Sequence, residues 1–319
     1  MRVVVTGGTG YLGRAIVAAL AARGHEPVVF ARHATASRLA SAAQVDGDIR
    51  DREALRAAAR GCDAICHTAA MVSIWHREPR LFDEINVDGT RTVLAVTREL
   101  GLRLVYTSSF LARPPRGRET PLSANDYQRT KTAALREVAT AAREGTPVIC
   151  TYPGVVYGPG IRSEGNLLGR LVSDHLARRL PGLVGAERIW SYAFVEDVAE
   201  AHVAALERGE VGAHYGLGGE NVPQMRPFEE LRKLTGRRLP RRLPLRAAAV
   251  AGWAEEWRAR LTGAVPLLTR GAVEIFRHDW PVDSQDAVRA LGYRITPLRA
   301  GVERLLVDLG WTGTAAAAP

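Results

Sequence analysis

Two residues suited to proton transfer lie four positions apart in the stretch NDYQRTKTAALREV, namely Tyr127 and Lys131. Residues at this spacing share one face of a helix. A phenol titrates near pH ~10, and a neighbouring ammonium favours the phenolate and so lowers the pKa of the tyrosine. The chain holds 43 lysines and arginines, yet only Lys131 and Lys233 are lysines. The pattern predicts a catalytic tyrosine beside a lysine that the planar group of arginine cannot replace; the alternative is a solvent-facing pair.

A glycine-rich turn follows the first apolar, β-branched run, in RVVVTGGTGYLG. It satisfies G-x-G-x-x-G at Gly8, Gly10 and Gly13, between a predicted strand and a predicted helix. Glycines let the backbone approach a pyrophosphate closely, and the N-terminus of the following helix stabilises its negative charge. We therefore predict a dinucleotide site. The cofactor-binding residues assigned to this turn are Gly7, Thr9, Gly10, Tyr11 and Leu12.

The end of the second predicted strand, VVFARH, indicates which dinucleotide binds. An NAD site usually has Asp or Glu here for the ribose hydroxyls, whereas an arginine accommodates the phosphate of NADP. The strand ends without an acid and carries Arg32, so we predict NADP(H), with Arg38 as a weaker candidate. The alternative is that Arg32 is one of many surface arginines. Asp48 and Ile49, which end the third predicted strand, are expected near the adenine.

The elements that must position these residues alternate between strand and helix through residue 160, which predicts a parallel sheet with helices on both faces. One strand is predicted in PVICTYPGVVYGPG, and HYGLGG is expected to return to the same sheet. We predict an α/β fold, a Rossmann-type doubly wound parallel sheet with a smaller, mostly helical C-terminal substrate domain. The predicted NADP-binding domain covers residues 1–160 plus about 191–219, and the substrate domain covers 161–190 plus 220–319.

Composition argues against several classes of partner. The net charge is +9, but the basic clusters RPPRGR and RRLPRR are short, far apart and not interleaved with aromatic residues for base stacking. No apolar run approaches the ~20 residues of a membrane helix, and the N-terminus does not read as a signal peptide. We therefore expect no nucleic acid, no membrane partner and a cytoplasmic location. Cys62, Cys66 and His67 could suggest metal spacing, but CDAICHTAA reads as a buried strand with reduced thiols, so no metal is expected.

A series of motifs resembles the extended short-chain dehydrogenase/reductase family, part of the NAD-dependent epimerase/dehydratase superfamily. Within it, the chain looks most like the dihydroflavonol-reductase-like branch, which is similar to 3β-hydroxysteroid dehydrogenases. The motifs run in order from residue 6 to about residue 200: TGGTGYLG, GDIRD, HTAA, NVDGTRTVL, YTSS, YQRTK, YPGVVYGPG and FVEDVA.

This resemblance implies roles for individual residues. Ser109, with Ser108 as the fallback, would hydrogen-bond the substrate carbonyl. Tyr127 would donate the proton, and Lys131 would tune Tyr127 and hold the nicotinamide ribose. Asn86 is expected to be structural. The resemblance also implies that the cofactor is lined by Thr68, Ala69, Ala70, Pro153, Gly154, Val155 and Val156.

The substrate side departs from the family pattern. Only 17 residues separate Ser109 from Tyr127, a shorter segment than is usual in the family. Arg113 and Pro114 stand where the family has a glycine. Because this loop normally borders the substrate, its geometry cannot be carried over. Phe110, Leu111, Met71, Val72 and Trp75 suggest an apolar wall beside the nicotinamide, covered by Leu167, Leu171 and Trp190.

Several reactions occur on this scaffold, so the fold alone does not choose among them. The expected activity is NADPH-dependent reduction of a ketone or aldehyde of a fairly apolar small molecule, with secondary metabolism as one setting. An NAD-dependent sugar-nucleotide epimerase is the alternative, and a non-catalytic NADP-binding or sensing protein is a further one. Phe110 and Leu111 stand where the family's dehydratases have Asp and Glu, which argues against dehydration. The resemblance leaves both a monomer and a homodimer open.

Overall fold

The computed structural model describes residues 1–311 of the chain. Residues 312–319, the end of the predicted substrate domain, lie outside the described residues. Among the described residues, every helix is too short or too polar to cross a membrane.

Seven strands form the central sheet, in the order β10-β6-β5-β4-β1-β2-β3, and all of their pairings are parallel. The order reverses at β1, so the carboxyl ends of β1 and β4 border the crevice where ligands bind in such sheets. The predicted return of HYGLGG to this sheet is confirmed, because β10 pairs with β6. The strands are β1 Arg2–Thr6, β2 Glu26–Ala31, β3 Ala43–Asp46, β4 Ala64–His67, β5 Arg103–Thr107, β6 Val148–Pro153, β7 Val155–Tyr157, β8 Leu183–Val184, β9 Ile189–Phe194, β10 His214–Leu217, β11 Glu220–Pro223 and β12 Arg242–Leu243.

Helices cover both faces of this sheet, as the doubly wound prediction requires. The helices are α1 Tyr11–Ala22, α2 Arg52–Ala59, α3 Arg80–Asp83, α4 Gly89–Leu100, α5 Asp126–Arg143, α6 Leu167–Leu176, α7 Val195–Arg208, α8 Arg226–Thr235, α9 Leu245–Thr262, α10 Arg270–Phe276, α11 Gln285–Leu291 and α12 Leu298–Asp308. Apolar residues of α1, α7 and α11 pack on one face of the sheet. Those of α2, α4 and α5 pack on the other. Short β-branched strands between two apolar layers account for the near-complete burial of β1, β4 and β6.

The segment PVICTYPGVVYGPG is two strands rather than the single predicted strand. Gly154 ends β6 by donating its N–H to the carbonyl of Leu217 at 3.0 Å, and a Cβ there would lie 2.6 Å from the carbonyl oxygen of Ser191. The chain then enters a second sheet of order β11-β9-β7. A third apolar core forms beneath it, with Trp190, Phe228 and Trp280. The proposed domain boundaries stay a prediction.

Candidate active site

The glycine turn joins β1 to α1 in a compact form. Gly7 has φ +71°, a left-handed conformation that favours glycine, and its carbonyl accepts the N–H of Gly10 at 2.9 Å. A Cβ on Gly13 would overlap that same carbonyl. Gly10 caps α1 without a side-chain hydrogen bond, so the helix presents its first backbone N–H groups at the turn. This geometry fits a pyrophosphate at the carboxyl end of β1.

The segment after β4 lies beside this turn. Thr68 is anchored to β1, since its Oγ1 donates to the carbonyl of Thr6 at 2.7 Å. A Cβ on Gly7 would lie 2.7 Å from the Cα of Ala69, so the two segments are in close contact. Two residues further along, Met71 is held by the side chain of Asn86, which accepts from Met71 N at 2.7 Å and donates to Met71 O at 3.2 Å. These contacts fit the structural role expected for Asn86.

Charged side chains surround the region expected to hold the adenosine. Arg32 is exposed at the end of β2. Arg50 donates to Asp48 through Nε at 2.9 Å and Nη2 at 2.8 Å. These bonds are the main cause that lowers the pKa of Asp48 to about 2, and the charge of Arg32 contributes. Asp48 therefore stays ionised, with Arg50 as its principal partner.

Asp46 is an acid that the sequence reasoning missed at this edge. It lies on β3 in register with Ala31, next to the end of β2. Its carboxylate accepts hydrogen bonds from the N–H of Thr35 at 2.9 Å and from the Thr35 hydroxyl at 2.6 Å. The carboxylate is thus committed to the turn after β2, while Arg32 stays exposed to solvent. Only the register of β3 against β2 could have revealed this neighbour.

The structure brings Ser109 and Tyr127 together. Ser109 is buried just beyond β5 and caps the short 3₁₀ turn Phe110–Ala112, its Oγ accepting from Leu111 N at 3.2 Å. Tyr127 lies in the first turn of α5, which begins where the side chain of Asn125 caps Gln128 N at 2.9 Å. Desolvation raises the pKa of Tyr127, and the adjacent Ser109 side chain partly offsets the rise. The two hydroxyl groups are therefore neighbours, and the phenol carries its proton at neutral pH.

Lys131 lies one turn further along α5 and is buried. Its Nζ donates to the carbonyl of Thr107 at 2.7 Å and lies 5.0 Å from the ring centroid of Tyr106. Desolvation lowers the pKa of Lys131 to about 7. Desolvation and Ser109 account for the shifted pKa of Tyr127, and the tuning of Tyr127 by Lys131 stays a prediction. The ammonium points at the end of β5.

His202 is a buried residue of this region that the sequence reasoning missed. Its Nδ1 donates to Val198 O at 2.7 Å, and its Nε2 lies 3.0 Å from the hydroxyls of Thr107 and Thr151. Because a carbonyl only accepts, Nδ1 carries the proton and Nε2 accepts. Burial lowers the pKa of His202 to about 4, so the ring stays neutral. This network fixes the end of β5, whose Thr107 carbonyl binds Lys131. The letters FVEDVAEAH give no signal of this contact, which depends on α7 packing beneath the sheet.

The short loop between Ser109 and Tyr127 is held by the buried side chain of Gln128. Its Nε2 donates to Leu111 O at 3.0 Å, and its Oε1 accepts from Ala124 N at 3.0 Å. One amide thus ties both ends of the loop to α5. Arg116 adds a third attachment, donating its N–H to Asp279 O at 3.0 Å. The loop is fixed without the glycine that the family has there.

Replacing Gln128 with methionine should destabilise the fold by about 1–3 kcal/mol, because two buried backbone groups lose their partner. Chemical denaturation would measure the loss. The matched control is Gln285→Met at an exposed glutamine, which should leave stability within about 0.5 kcal/mol. Equal stability of the two variants would show that the amide does not hold the loop.

Some residues of the apolar wall predicted beside the substrate lie together in one hydrophobic core. Phe110 meets Trp190 and Trp280 edge-on, with ring centroids 6.0 and 5.7 Å apart. Trp190 itself is buried and stacks on Phe276 at 5.1 Å, so it supports Phe110 from below. Leu111, Leu167 and Leu171 pack against the same core. Met71, Val72 and Trp75 lie on the segment after β4, and their part in the wall stays a prediction.

The sequence is similar to a known family and to named reductases. Residues 3–218 match the family model described as "NAD dependent epimerase/dehydratase family". The chain is 28% identical to a putative dihydroflavonol 4-reductase of Synechocystis, over 90% of this chain and 88% of that protein. It is 30% identical to the 4-hydroxy-2-methyl-3-oxo-4-farnesyl-3,4-dihydroquinoline-1-oxide ketoreductase of Stigmatella aurantiaca, over 92% of each chain.

Two solved structures share the fold along nearly the whole chain. The crystal structure of gox2253 superposes with a TM-score of 0.81 at 29% identity and covers 98% of both chains. The Thermus thermophilus UDP-glucose 4-epimerase, solved in complex with NAD, gives a TM-score of 0.75 at 23% identity and covers 98% of this chain and all (100%) of that one. The second likeness concerns the fold alone.

Proposed function

Because the chain belongs to the NAD dependent epimerase/dehydratase family of extended short-chain dehydrogenases/reductases, we propose that it is an NADPH-dependent reductase of ketones or aldehydes. Its substrate would be a fairly apolar small molecule. The relatives named as reductases support reduction over the other reactions of the family. The family description supports a nicotinamide cofactor; the choice of NADPH rests on Arg32.

The observation that carries this proposal is the pair of hydroxyls formed by Ser109 and Tyr127 at the end of β5. Both can donate to one carbonyl oxygen, since Ser109 is buried and the adjacent Tyr127 is partly buried. Hydrogen-bond donors aimed at an oxygen on which negative charge develops stabilise the transition state. The bound nicotinamide supplies the hydride.

Each residue then has a defined task. Ser109 donates a hydrogen bond to the substrate carbonyl. Tyr127, whose raised pKa keeps it protonated, delivers the proton to the same oxygen. Lys131, held by Thr107 O, provides a compact positive charge and donors for ribose hydroxyls. Gly7, Gly10 and the first turn of α1 would hold the pyrophosphate.

Two features of the structure bear on the other reactions of the family. Phe110 is packed against Trp190 and Trp280, so an apolar ring stands where dehydration needs a carboxylate. For the epimerase alternative, the acid nearest the end of β2 is Asp46, and Thr35 engages it. The sugar-nucleotide epimerase stays the second candidate because the family is described as including epimerases.

The direct test is consumption of NADPH in the presence of carbonyl compounds. Ketones and aldehydes with apolar substituents should be reduced with one NADPH oxidised per alcohol formed. Sugar nucleotides form the second arm of the panel. Interconversion of a sugar nucleotide without net NADPH consumption would contradict the reductase proposal and support epimerisation.

Arg32 should determine the choice of cofactor. Arg32→Ala removes the exposed cation at the end of β2, so NADPH binding should weaken about 10- to 100-fold, the effect expected for one hydrogen bond to a charged group. NADH binding should change little, because NADH lacks the extra phosphate. Arg38→Ala serves as the matched control and should have a smaller effect. Titration of cofactor fluorescence measures the affinity of each protein for each cofactor, and tighter binding of NADH than NADPH by the unaltered protein would overturn this assignment.

A further inference from the structure

Helix α9 is oriented with its bulky apolar residues toward solvent. Val250, Trp253, Trp257 and Leu261, here called the outer face, follow one another at three- and four-residue spacing, which places them on one side of a helix. Between 48% and 79% of each residue's surface is exposed. The fully buried residues of α9 lie on the opposite side and are small, namely Ala248, Gly252 and Ala259, with Leu245 partly buried at the start of the helix. This is the reverse of a surface helix that folds against a core.

Two further apolar residues are exposed on the segment that follows α9. Val265 and Leu267 are 60% and 84% exposed. Their position is fixed by the acids of α9, since Glu255 accepts Leu267 N at 2.9 Å and Glu256 accepts Arg270 N at 2.7 Å. The exposed residues therefore belong to an ordered helix–loop unit. Contiguous apolar surface of this kind marks an interaction site.

The rim of this surface is positively charged. Glu255 pairs with Arg258 and Glu256 with Arg270, so the acids of α9 are already engaged. Arg246 and Arg260 are exposed, and within residues 1–311 neither forms an ion pair with a carboxylate. The guanidinium of Arg260 lies 6.0 Å from the ring centroid of Trp257. The outer face thus combines tryptophan and leucine with unpaired arginine.

The unit also lies close to the candidate active site. Gly252 of α9 packs against Thr269 and Arg270, at the start of α10. One residue further on, a Cβ on Gly271 would overlap the carbonyl of Ala124. Ala124 directly precedes Asn125, the N-cap of the helix that carries Tyr127. The contact chain from α9 to α5 is therefore short and made of backbone packing.

We propose that the outer face of α9 docks the protein on an anionic lipid bilayer surface, with the helix lying in the plane of the interface. Tryptophan and leucine enter the boundary between headgroups and acyl chains, and arginines on the rim bind lipid phosphates. A second copy of the chain fits less well, because a two-fold contact through this face would bring arginine rim against arginine rim. This proposal differs from the sequence-based expectation of no membrane partner. Docking itself does not depend on the reductase activity. Docking would also let an apolar carbonyl substrate enter the site from the bilayer, and this consequence rests on the proposed function.

The test is sedimentation of the full chain with vesicles of phosphatidylcholine alone and of phosphatidylcholine mixed with phosphatidylglycerol. The protein should bind the anionic vesicles, and more weakly as salt rises. The triple variant Trp253→Gln, Trp257→Gln, Leu261→Gln should bind at least about tenfold more weakly, since burial of each large apolar side chain contributes more than a factor of ten. The matched control substitutes Val211, Val288 and Val307, exposed elsewhere, with glutamine and should bind like the unaltered protein.

A second measurement needs no variant of the outer face. Lipids brominated on the acyl chain should quench tryptophan fluorescence of the unaltered protein on anionic vesicles. Absence of binding to anionic vesicles, or equal binding by the triple variant, would overturn the proposal. A dimer seen by light scattering without lipid and abolished by the triple variant would also overturn it, in favour of a second copy. NADPH oxidation with a water-soluble carbonyl is measured separately, so failure of docking and failure of the proposed function give different results.

Discussion

Replacing Tyr127 with phenylalanine should lower kcat for carbonyl reduction by about 100- to 10,000-fold, the range attributed to a positioned general acid. The substitution removes one oxygen from a partly buried side chain that lies beside Ser109. The glycine turn and Arg32 are unaffected, so the dissociation constant for NADPH should stay within about twofold, because phosphate contacts dominate its binding. Single-turnover kinetics and fluorescence titration measure the two quantities separately.

The matched control for this variant is Tyr215→Phe. The Tyr215 hydroxyl accepts a hydrogen bond from Glu210 N at 3.2 Å and lies on β10, away from Ser109. It should lower stability slightly and leave kcat unchanged. An unchanged kcat in Tyr127→Phe would assign the proton to another group and would favour the non-catalytic NADP-binding alternative.

Lys131→Arg should have the second largest effect, a fall in kcat/KM of about 100-fold or more, as expected when a positioned charge is misplaced. The charge is kept, but the planar guanidinium must fit where Nζ lies 2.7 Å from Thr107 O in a buried site. The chain offers its other lysine as the control. Lys233→Arg, at a half-exposed lysine that pairs with the buried Glu230, should behave like the unaltered protein.

The pH dependence of kcat/KM distinguishes the effect of the charge of Lys131 from the effect of its shape. With a pKa of about 7, Lys131 is charged below neutral pH and loses its proton above it. The kcat/KM for NADPH, which reports the free enzyme, should therefore fall as pH rises through about 7. In Lys131→Arg this inflection should disappear, because arginine stays charged. An identical inflection in the variant would show that a different group titrates.

Stability gives an independent check on Lys131. Its folded pKa lies below the ordinary value of 10.5. Between about pH 7 and 10.5 the unfolded chain binds more protons at this site. The contribution of Lys131 to the free energy of unfolding should therefore rise with pH between about pH 7 and 10.5 and stay constant below about pH 7. Denaturation of the unaltered protein and of Lys131→Met at several pH values would measure this contribution as their difference.

The sheet and the glycine turn could be predicted from sequence because their signals are local. An apolar β-branched run, a glycine turn and a periodic helix occur within a few residues of one another in RVVVTGGTGYLG. Tyr127 and Lys131 share a helix, so their spacing alone places both on one side. The regular strand–helix alternation predicts a parallel sheet, and the return of β10 followed the same pattern.

The features that sequence could not supply depend on contacts between distant segments. The break falls at Gly154, where the carbonyl of Ser191 leaves no room for a side chain. The engagement of Asp46 by Thr35 depends on the register of β3. The direction of Lys131 toward Thr107 O was missed because it depends on where β5 ends relative to α5.

The loop between Ser109 and Tyr127 and the orientation of α9 also depend on contacts that sequence patterns do not reveal. Gln128 reads as an ordinary helical residue, yet its buried amide joins two loop ends that sequence patterns do not pair. In α9, large apolar residues and small residues each recur at helical spacing, and sequence alone does not indicate which of the two sides packs on the protein. Its orientation is decided by Gly252, which admits the close approach of Thr269 and Arg270.

The most direct measurement of the central claim uses NADPH carrying deuterium at C4 of the nicotinamide, with mass spectrometry of the product. If Ser109, Tyr127 and Lys131 form a reductase site, an apolar ketone or aldehyde should yield an alcohol with one deuterium on the carbinol carbon. One NADP⁺ should form for each alcohol. Turnover of a sugar nucleotide with no deuterium in the released product and no net NADP⁺ would contradict the account.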